Sequence, residues 1–168
     1  MSAVYKMETT EPDGREPIIT AVDTLPEYVR TLGMNLRERD IAIANKVGIE
    51  AHRALWRIYK KSLICKTVFL GNEIVAIWGA TGTFLGKTAK PWFVASPTTE
   101  DYPMKLAFRY RSELRNMLRY FPVLEDWVQI DDKKTIRLLE IMGFSFEKPE
   151  PMGKNGIMFM RATLSKEK

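Results

Sequence analysis

The sequence predicts an α+β domain: a mixed β-sheet with helices on both faces. Three observations carry that expectation. Short apolar runs rich in β-branched and aromatic residues alternate along the chain with stretches of helical periodicity. A two-residue turn, Gly71-Asn72, separates two such runs. One long helical stripe, Leu106, Tyr110, Leu114, Met117, Leu118 and Phe121, lies between two further strand-like segments.

The elements follow in order. Pro17 to Val22 reads as a strand, because β-branched residues are dense and polar breakers absent. Asp23 or Thr24 is positioned to cap a short helix with Pro26 in its first turn and Gly33 at its end. Arg37 to Val47 and Ile49 to Ser62 read as two more helices parted by Gly48. In the second of these, Ala51, Leu55, Ile58, Tyr59 and Ser62 share one face, and Arg53, Arg57, Lys60 and Lys61 occupy the other. Ile64 to Leu70 and Glu73 to Gly79 form the hairpin, since glycine and asparagine tolerate the positive φ of tight turns. Gly79, Gly82 and Gly86 mark a looser turn before the strand Pro91 to Ala95. The long helix runs from Pro103 to Phe121, and Pro122 stops it. Trp127 to Ile130 is a strand. Asp131 or Asp132 caps a helix ending at Met142, and Gly143 supplies its left-handed terminator. Phe144 to Phe146 begins a strand and Gly156 to Thr163 supplies the last, after a turn at Lys154-Asn155-Gly156.

These boundaries divide the chain into an arm at 1–16, flexible or docked on a partner, one domain over 17–164, and a polar tail at 165–168. The 168 residues, 45% hydrophobic and 28% charged, suffice for one buried core. Cys65 is the one cysteine and His52 the one histidine, which excludes an internal disulfide, a cysteine zinc site and a two-histidine metal site. A soluble protein of a reducing compartment is expected. No run approaches the ~18 apolar residues of a membrane-spanning helix. The net charge of +5 and pI near 9.3 are compatible with an anionic partner, nucleic acid included.

The run Asp132-Lys133-Lys134-Thr135-Ile136-Arg137-Leu138-Leu139-Glu140-Ile141-Met142-Gly143-Phe144 follows a strand and precedes another. It resembles the ending of the GNAT acyltransferases, Asn-x-x-Ala-x-x-Leu-Tyr-x-x-x-Gly-Phe, through Leu138 and Gly143-Phe144. The upstream hairpin, strand and long helix fall in the same order, so the resemblance in layout covers most of 17–164. It implies a GNAT-like mixed sheet, acetyl-CoA as cofactor, and attack of an amine on the thioester without a covalent enzyme intermediate.

Two departures oppose the chemistry. Members of that family hold the coenzyme A pyrophosphate on a glycine-rich loop before the long helix, where backbone N–H groups approach phosphate closely. Here that loop is Ser96-Pro97-Thr98-Thr99-Glu100-Asp101-Tyr102-Pro103, without a glycine. Pro97 and Pro103 lack N–H donors, and Glu100 and Asp101 place negative charge where phosphate would arrive. An active enzyme would have to bind cofactor at Ala95, Thr98, Thr99, Glu100, Asp101 and Tyr102. Where many members carry a tyrosine that protonates the departing thiolate, this chain has Leu139.

With these losses the sequence resembles the small GNAT-like proteins of tailed bacteriophages, including internal virion proteins of short-tailed phages. The carriers are Thr135 to Gly143 and the run Gly71 to Gly79 after a paired-helix front half. That resemblance implies a non-catalytic structural or assembly component without cofactor, located in the virion or the host cytoplasm. Its partners would be virion proteins such as portal, adaptor or tail components.

Individual residues weigh the same way. His52 on a helix beside Arg53 reads as a surface residue rather than a general base. Glu73, flanking the turn, reads as a solvated carboxylate rather than a proton acceptor. Cys65 reads as a small buried hydrophobe. Arg111, Arg115 and Arg119 recur every four residues with Phe108 near the same side. An aromatic among arginines is the composition of an interface hot spot, so these four are the candidate partner interface. Trp56, Trp78, Trp92 and Trp127 are expected in the core. Met152 to Asn155 is expected as a loop able to order against a partner.

Overall fold

The computed structural model describes residue 15, residues 17–83 and residues 85–166. The expected arm at 1–16 lies outside the described residues except for Arg15, as do the last two residues of the tail. Among the described residues there are eight strands and five helices: β1 Ile19–Asp23, α1 Pro26–Gly33, α2 Glu38–Lys46, α3 Ala51–Lys61, β2 Ser62–Leu70, β3 Glu73–Gly82, β4 Thr88–Ala95, α4 Pro103–Met117, β5 Val123–Gln129, α5 Lys133–Met142, β6 Ser145–Phe146, β7 Glu150–Met152 and β8 Ile157–Ser165. A 3₁₀ turn, Pro97–Asp101, precedes α4.

The strands form one mixed sheet in the order β1-β2-β3-β4-β5-β8-β6, with β7 also paired to β8. β4 and β5 are parallel, with Thr88 opposite Val123 and Ala89 opposite Leu124. A parallel neighbour needs a long crossover, and α4 supplies it. β5 and β8 run antiparallel from Val123↔Ser165 to Gln129↔Phe159.

The described residues group into two compact units, neither continuous in sequence. The first holds residues up to Arg57 with Cys65–Trp78 and Phe93–Asp101; the second holds Ile58–Ile64, Gly79–Trp92 and the chain from Tyr102 onward. Val29, Leu32, Leu55, Val68, Leu70, Val75 and Trp78 form the buried interior of the first. Leu106, Leu114, Met117, Phe121, Leu124, Val128, Met142 and Ala162 are buried in the second. There Gly79 is required by close approach: a Cβ would meet the Ile64 carbonyl oxygen and come within 2.9 Å of Trp92 Nε1. That indole donates to Ser62 Oγ at 2.7 Å.

The structure corrects several local expectations. Neither Asp23 nor Thr24 caps α1; its N-cap is Leu25, with no side-chain cap bond. Asp23 instead accepts from Lys66 Nζ at 2.6 Å, and Thr24 Oγ1 accepts from Thr67 Oγ1 at 2.9 Å. Both side chains serve the β1–β2 ladder. At Gly71-Asn72 only the glycine takes positive φ, +59°, as a turn with glycine at its first central position requires. The long helix ends at Met117 rather than Phe121. The segment expected as a loop at Met152 to Asn155 begins inside a strand, because Glu150–Met152 pairs with β8. Trp78 and Trp92 are buried, while Trp56 and Trp127 are half-buried.

Candidate functional site

The segment after β4 is held by distant side chains. α2 begins with Arg37 as N-cap, whose backbone N–H donates to the Ala95 carbonyl at 2.9 Å. One turn on, Asp40 is buried, 8% exposed, and its Oδ2 accepts the Ala95 N–H at 3.0 Å. Arg37 clasps the same carboxylate through Nε at 2.9 Å and Nη2 at 3.0 Å, the bidentate geometry guanidinium favours. Its guanidinium also sits 5.2 Å from the centre of the Phe93 ring. Both polar groups of Ala95 are therefore engaged by the start of α2.

Beyond Ala95, the Ser96 N–H donates to the Val75 carbonyl at 2.8 Å. The Ser96 carbonyl receives Thr99 Oγ1 at 2.8 Å and the Thr99 N–H at 3.2 Å. Thr98 Oγ1 donates to Glu73 Oε1 at 2.7 Å. Glu73 is thus tied to the segment after β4 rather than simply solvated, a correction to the sequence reading.

The fold raises the question whether this segment fits a pyrophosphate, and the donor set bears on it. Ala95 and Thr99 spend their N–H groups internally, and Pro97 and Pro103 have none. Glu100 and Asp101 are both exposed and repel an anion. The wound 3₁₀ turn leaves no glycine cradle. The segment therefore lacks the donors and glycines of the family's loop at Ala95, Pro97 and Thr99, and Ala95 and Thr99 are removed from the candidate donors. Leu139, at the position where the family pattern has tyrosine, is 7% exposed and carries no proton to give.

A second cluster lies within the other unit. Lys90 Nζ stands 3.6 Å from Asp126 Oδ1, which also accepts the Trp127 N–H at 2.9 Å. Burial is the main reason the Asp126 carboxyl titrates above its usual range, with Lys90 and the Trp127 N–H opposing. Burial, then the charge of Asp126, pushes the Tyr110 hydroxyl upward. A carboxylate with a raised pKa is a chemically competent proton acceptor, and nothing in the spacing of the sequence announced it.

The four residues read as a candidate interface differ in exposure. Phe108 is 62% exposed and Met104 57%, and Arg115 and Arg119 are exposed with them. Arg111 is half-buried, its Nε shielded and without a hydrogen-bond partner among the described residues. His52 is on the surface, 3.4 Å from Glu50. Cys65 is half-buried, and burial raises its thiol to about 11, outweighing a hydrogen bond with Thr24. A thiol so placed is a packing group, not a nucleophile. Among the described residues no cluster suits a metal ion, and no helix is long and apolar enough to cross a membrane.

No family model and no curated protein matches the sequence. Solved structures do match the fold. A ribosomal L7/L12 α-N-protein acetyltransferase, solved with coenzyme A, superposes with a TM-score of 0.65 at 9% identity, covering 88% of this chain and 93% of that one. A GNAT-family acetyltransferase from Bacillus anthracis gives 0.66 at 10% identity, covering 90% and 96%. Spermidine N-acetyltransferase from Vibrio cholerae, in complex with CoA and spermine, gives 0.63 at 14% identity, covering 88% and 95%. The strand order, the parallel β4–β5 pair bridged by α4, and these superpositions together establish that the chain has the GNAT acetyltransferase fold.

Proposed function

We propose that this chain is a GNAT-fold protein that works by binding other proteins rather than by acyl transfer. The observation that carries the reading is the closed segment after β4. The Ala95 amide is held by buried Asp40, and the turn that follows has two acids and no glycine. On this reading the exposed Met104, Phe108 and Arg115 of α4, with Arg119 in the turn that follows it, dock an acidic protein surface, through apolar contact at one end and charge at the other. The bacteriophage setting, with portal, adaptor or tail proteins as partners, is supported by the sequence resemblance alone.

A second reading, an acyl-CoA-dependent N-acyltransferase with an atypical cofactor segment, has specific support. The structural neighbours cited are acetyltransferases, two of them solved with coenzyme A, and that comparison favours this reading over a virion role. Asp126 is the residue suited to take the proton of an incoming amine. Calorimetry with acetyl-CoA on the full chain separates the two. No binding up to about 1 mM supports the first reading. Binding near 10 μM, on the order of −7 kcal/mol, overturns it and makes an amine-acceptor screen the next step.

A further inference from the structure

α1 and α3 enclose a groove of about 680 Å³ that neither reading uses, lined by Val29, Arg30, Met34, His52, Arg53, Trp56 and Arg57. Its floor is apolar and its rim cationic. Gly33 brings the end of α1 against α3, where a Cβ would come within 3.1 Å of His52 Cβ. The Arg30 guanidinium lies over the Trp56 ring, 5.3 Å from its centre, so a cation and an aromatic face meet at one end. Arg53 stands 3.1 Å from Glu50 Oε2, the same carboxylate that lies 3.4 Å from His52 Nε2. Arg57 has no carboxylate partner among the described residues. Three guanidiniums thus face this groove with a single carboxylate to balance them.

We propose that the groove binds a nucleoside phosphate. Guanidinium forks match phosphate oxygens bidentately, and a lysine-rich face would not discriminate in the same way. The Trp56 indole and the Arg30 guanidinium in the lining are both groups on which a base can stack. The volume falls in the range of small-ligand pockets, ~300–1,000 Å³. An acidic peptide is the weaker fit, because the walls are two helices and present no strand edge for an extended backbone to pair with. The nucleoside phosphate can be a free nucleotide or a unit of a single strand, and the chemistry of recognition is shared. This inference rests on neither reading of the acyltransferase fold.

The test uses ADP, which carries neither acyl group nor pantetheine, titrated into the full chain at about 50 mM salt. Binding with a Kd of about 100 μM or tighter is expected. The double variant Arg53→Gln/Arg57→Gln changes two exposed side chains, so the fold survives, and affinity falls by about tenfold or more. Trp56→Leu weakens binding severalfold while leaving inorganic pyrophosphate binding unchanged. The double variant Glu100→Gln/Asp101→Asn, in the segment before α4, leaves ADP binding as it was, which separates this site from any coenzyme A site. A short single-stranded oligonucleotide that binds more tightly than ADP, with a steeper salt dependence and the same sensitivity to Arg57, identifies a strand as the source. Absence of ADP binding up to about 1 mM overturns the proposal. So does ADP binding indifferent to the arginine pair, or a poly-glutamate peptide that binds as well as ADP.

Discussion

Two strand-to-helix junctions of this fold, those after β4 and after β5, are built on different principles. After β5, the junction is local: Asp132 caps α5, accepting the Thr135 N–H at 3.1 Å and Thr135 Oγ1 at 2.6 Å, and Gly143 closes the helix at φ +96°. After β4, nothing local caps α4; its N-cap is Tyr102, with no side-chain cap bond. That junction is held from outside, by Asp40 on α2 and Glu73 on β3. The first kind is rigid by itself and independent of partners. The second ties the segment where a cofactor would sit to two distant carboxylates, so its shape is set by tertiary structure.

Removing the outside support breaks that contrast most visibly. Asp40→Ala strips the Ala95 N–H of its acceptor and leaves the guanidinium of Arg37, 18% exposed, without its carboxylate. A loss of about 3 kcal/mol is expected, read as a fall in Tm of roughly 10 °C. Acetyl-CoA titrated into the folded variant sharpens the point. Affinity gained relative to the wild type shows that the Asp40 clamp is what closes the segment. Affinity absent in both shows that the prolines and acids of the 3₁₀ turn close it unaided.

At the local junction the expected costs are smaller and additive. Asp132→Ala removes an N-cap, for about 1 kcal/mol. Gly143→Ala meets only ordinary contact, 3.6 Å from Leu164 Cδ1, so its cost is the left-handed backbone itself, about 1–2 kcal/mol. Urea denaturation of the two single variants and the double gives the sum, because the sites are separate ends of one helix. A strongly non-additive double variant contradicts the view of this junction as two independent caps. Smaller again is Thr98→Val, which deletes the bond to Glu73 and leaves a half-exposed carboxylate that water can reach. About 1 kcal/mol is expected, and amide exchange should quicken in 97–101 while α5 stays protected.

The same division explains what was legible in the sequence. Asp132, Gly143, Gly71 and the strands around it act on neighbours within a few residues, and their patterns predicted α5, the hairpin and the order of elements. The helix-period stripe of α4 predicted its buried face, though the strict end at Pro122 misplaced its last turn. Asp40 reads in sequence as an ordinary acid in a helix's first turn, and its true partner, Ala95, is 55 positions away. Glu73 reads as a turn-flanking acid for the same reason. β7 escaped because Glu150-Pro151-Met152 has no strand pattern and is ordered only by pairing with β8. The absence of glycine between Ser96 and Pro103 was visible at once; how the segment is held closed was not.

Asp40 and Asp126 extend the contrast to two carboxylates withdrawn from water. Asp40 is bound by a guanidinium and a backbone N–H. Asp126 has a backbone N–H and a more distant ammonium, with Lys90 itself 61% exposed, and burial prevails, raising its pKa above 3.8. In the folded state Asp126 therefore holds its proton more tightly than in the unfolded chain. Between the two values the folded state binds more protons, so stability is complete below about pH 3.8 and falls as pH rises through the folded value. Asp126→Asn keeps an oxygen for the Trp127 N–H and never ionises. Relative to wild type it should gain stability as pH rises from about 3 to 7, and the difference should level off once wild-type Asp126 is ionised in both states. Denaturation midpoints across that range test it. A difference independent of pH, or one that runs the other way, means that Lys90 outweighs burial. Asp126 would then be a satisfied ion pair like Asp40, and no longer the proton acceptor on which the acyltransferase reading depends.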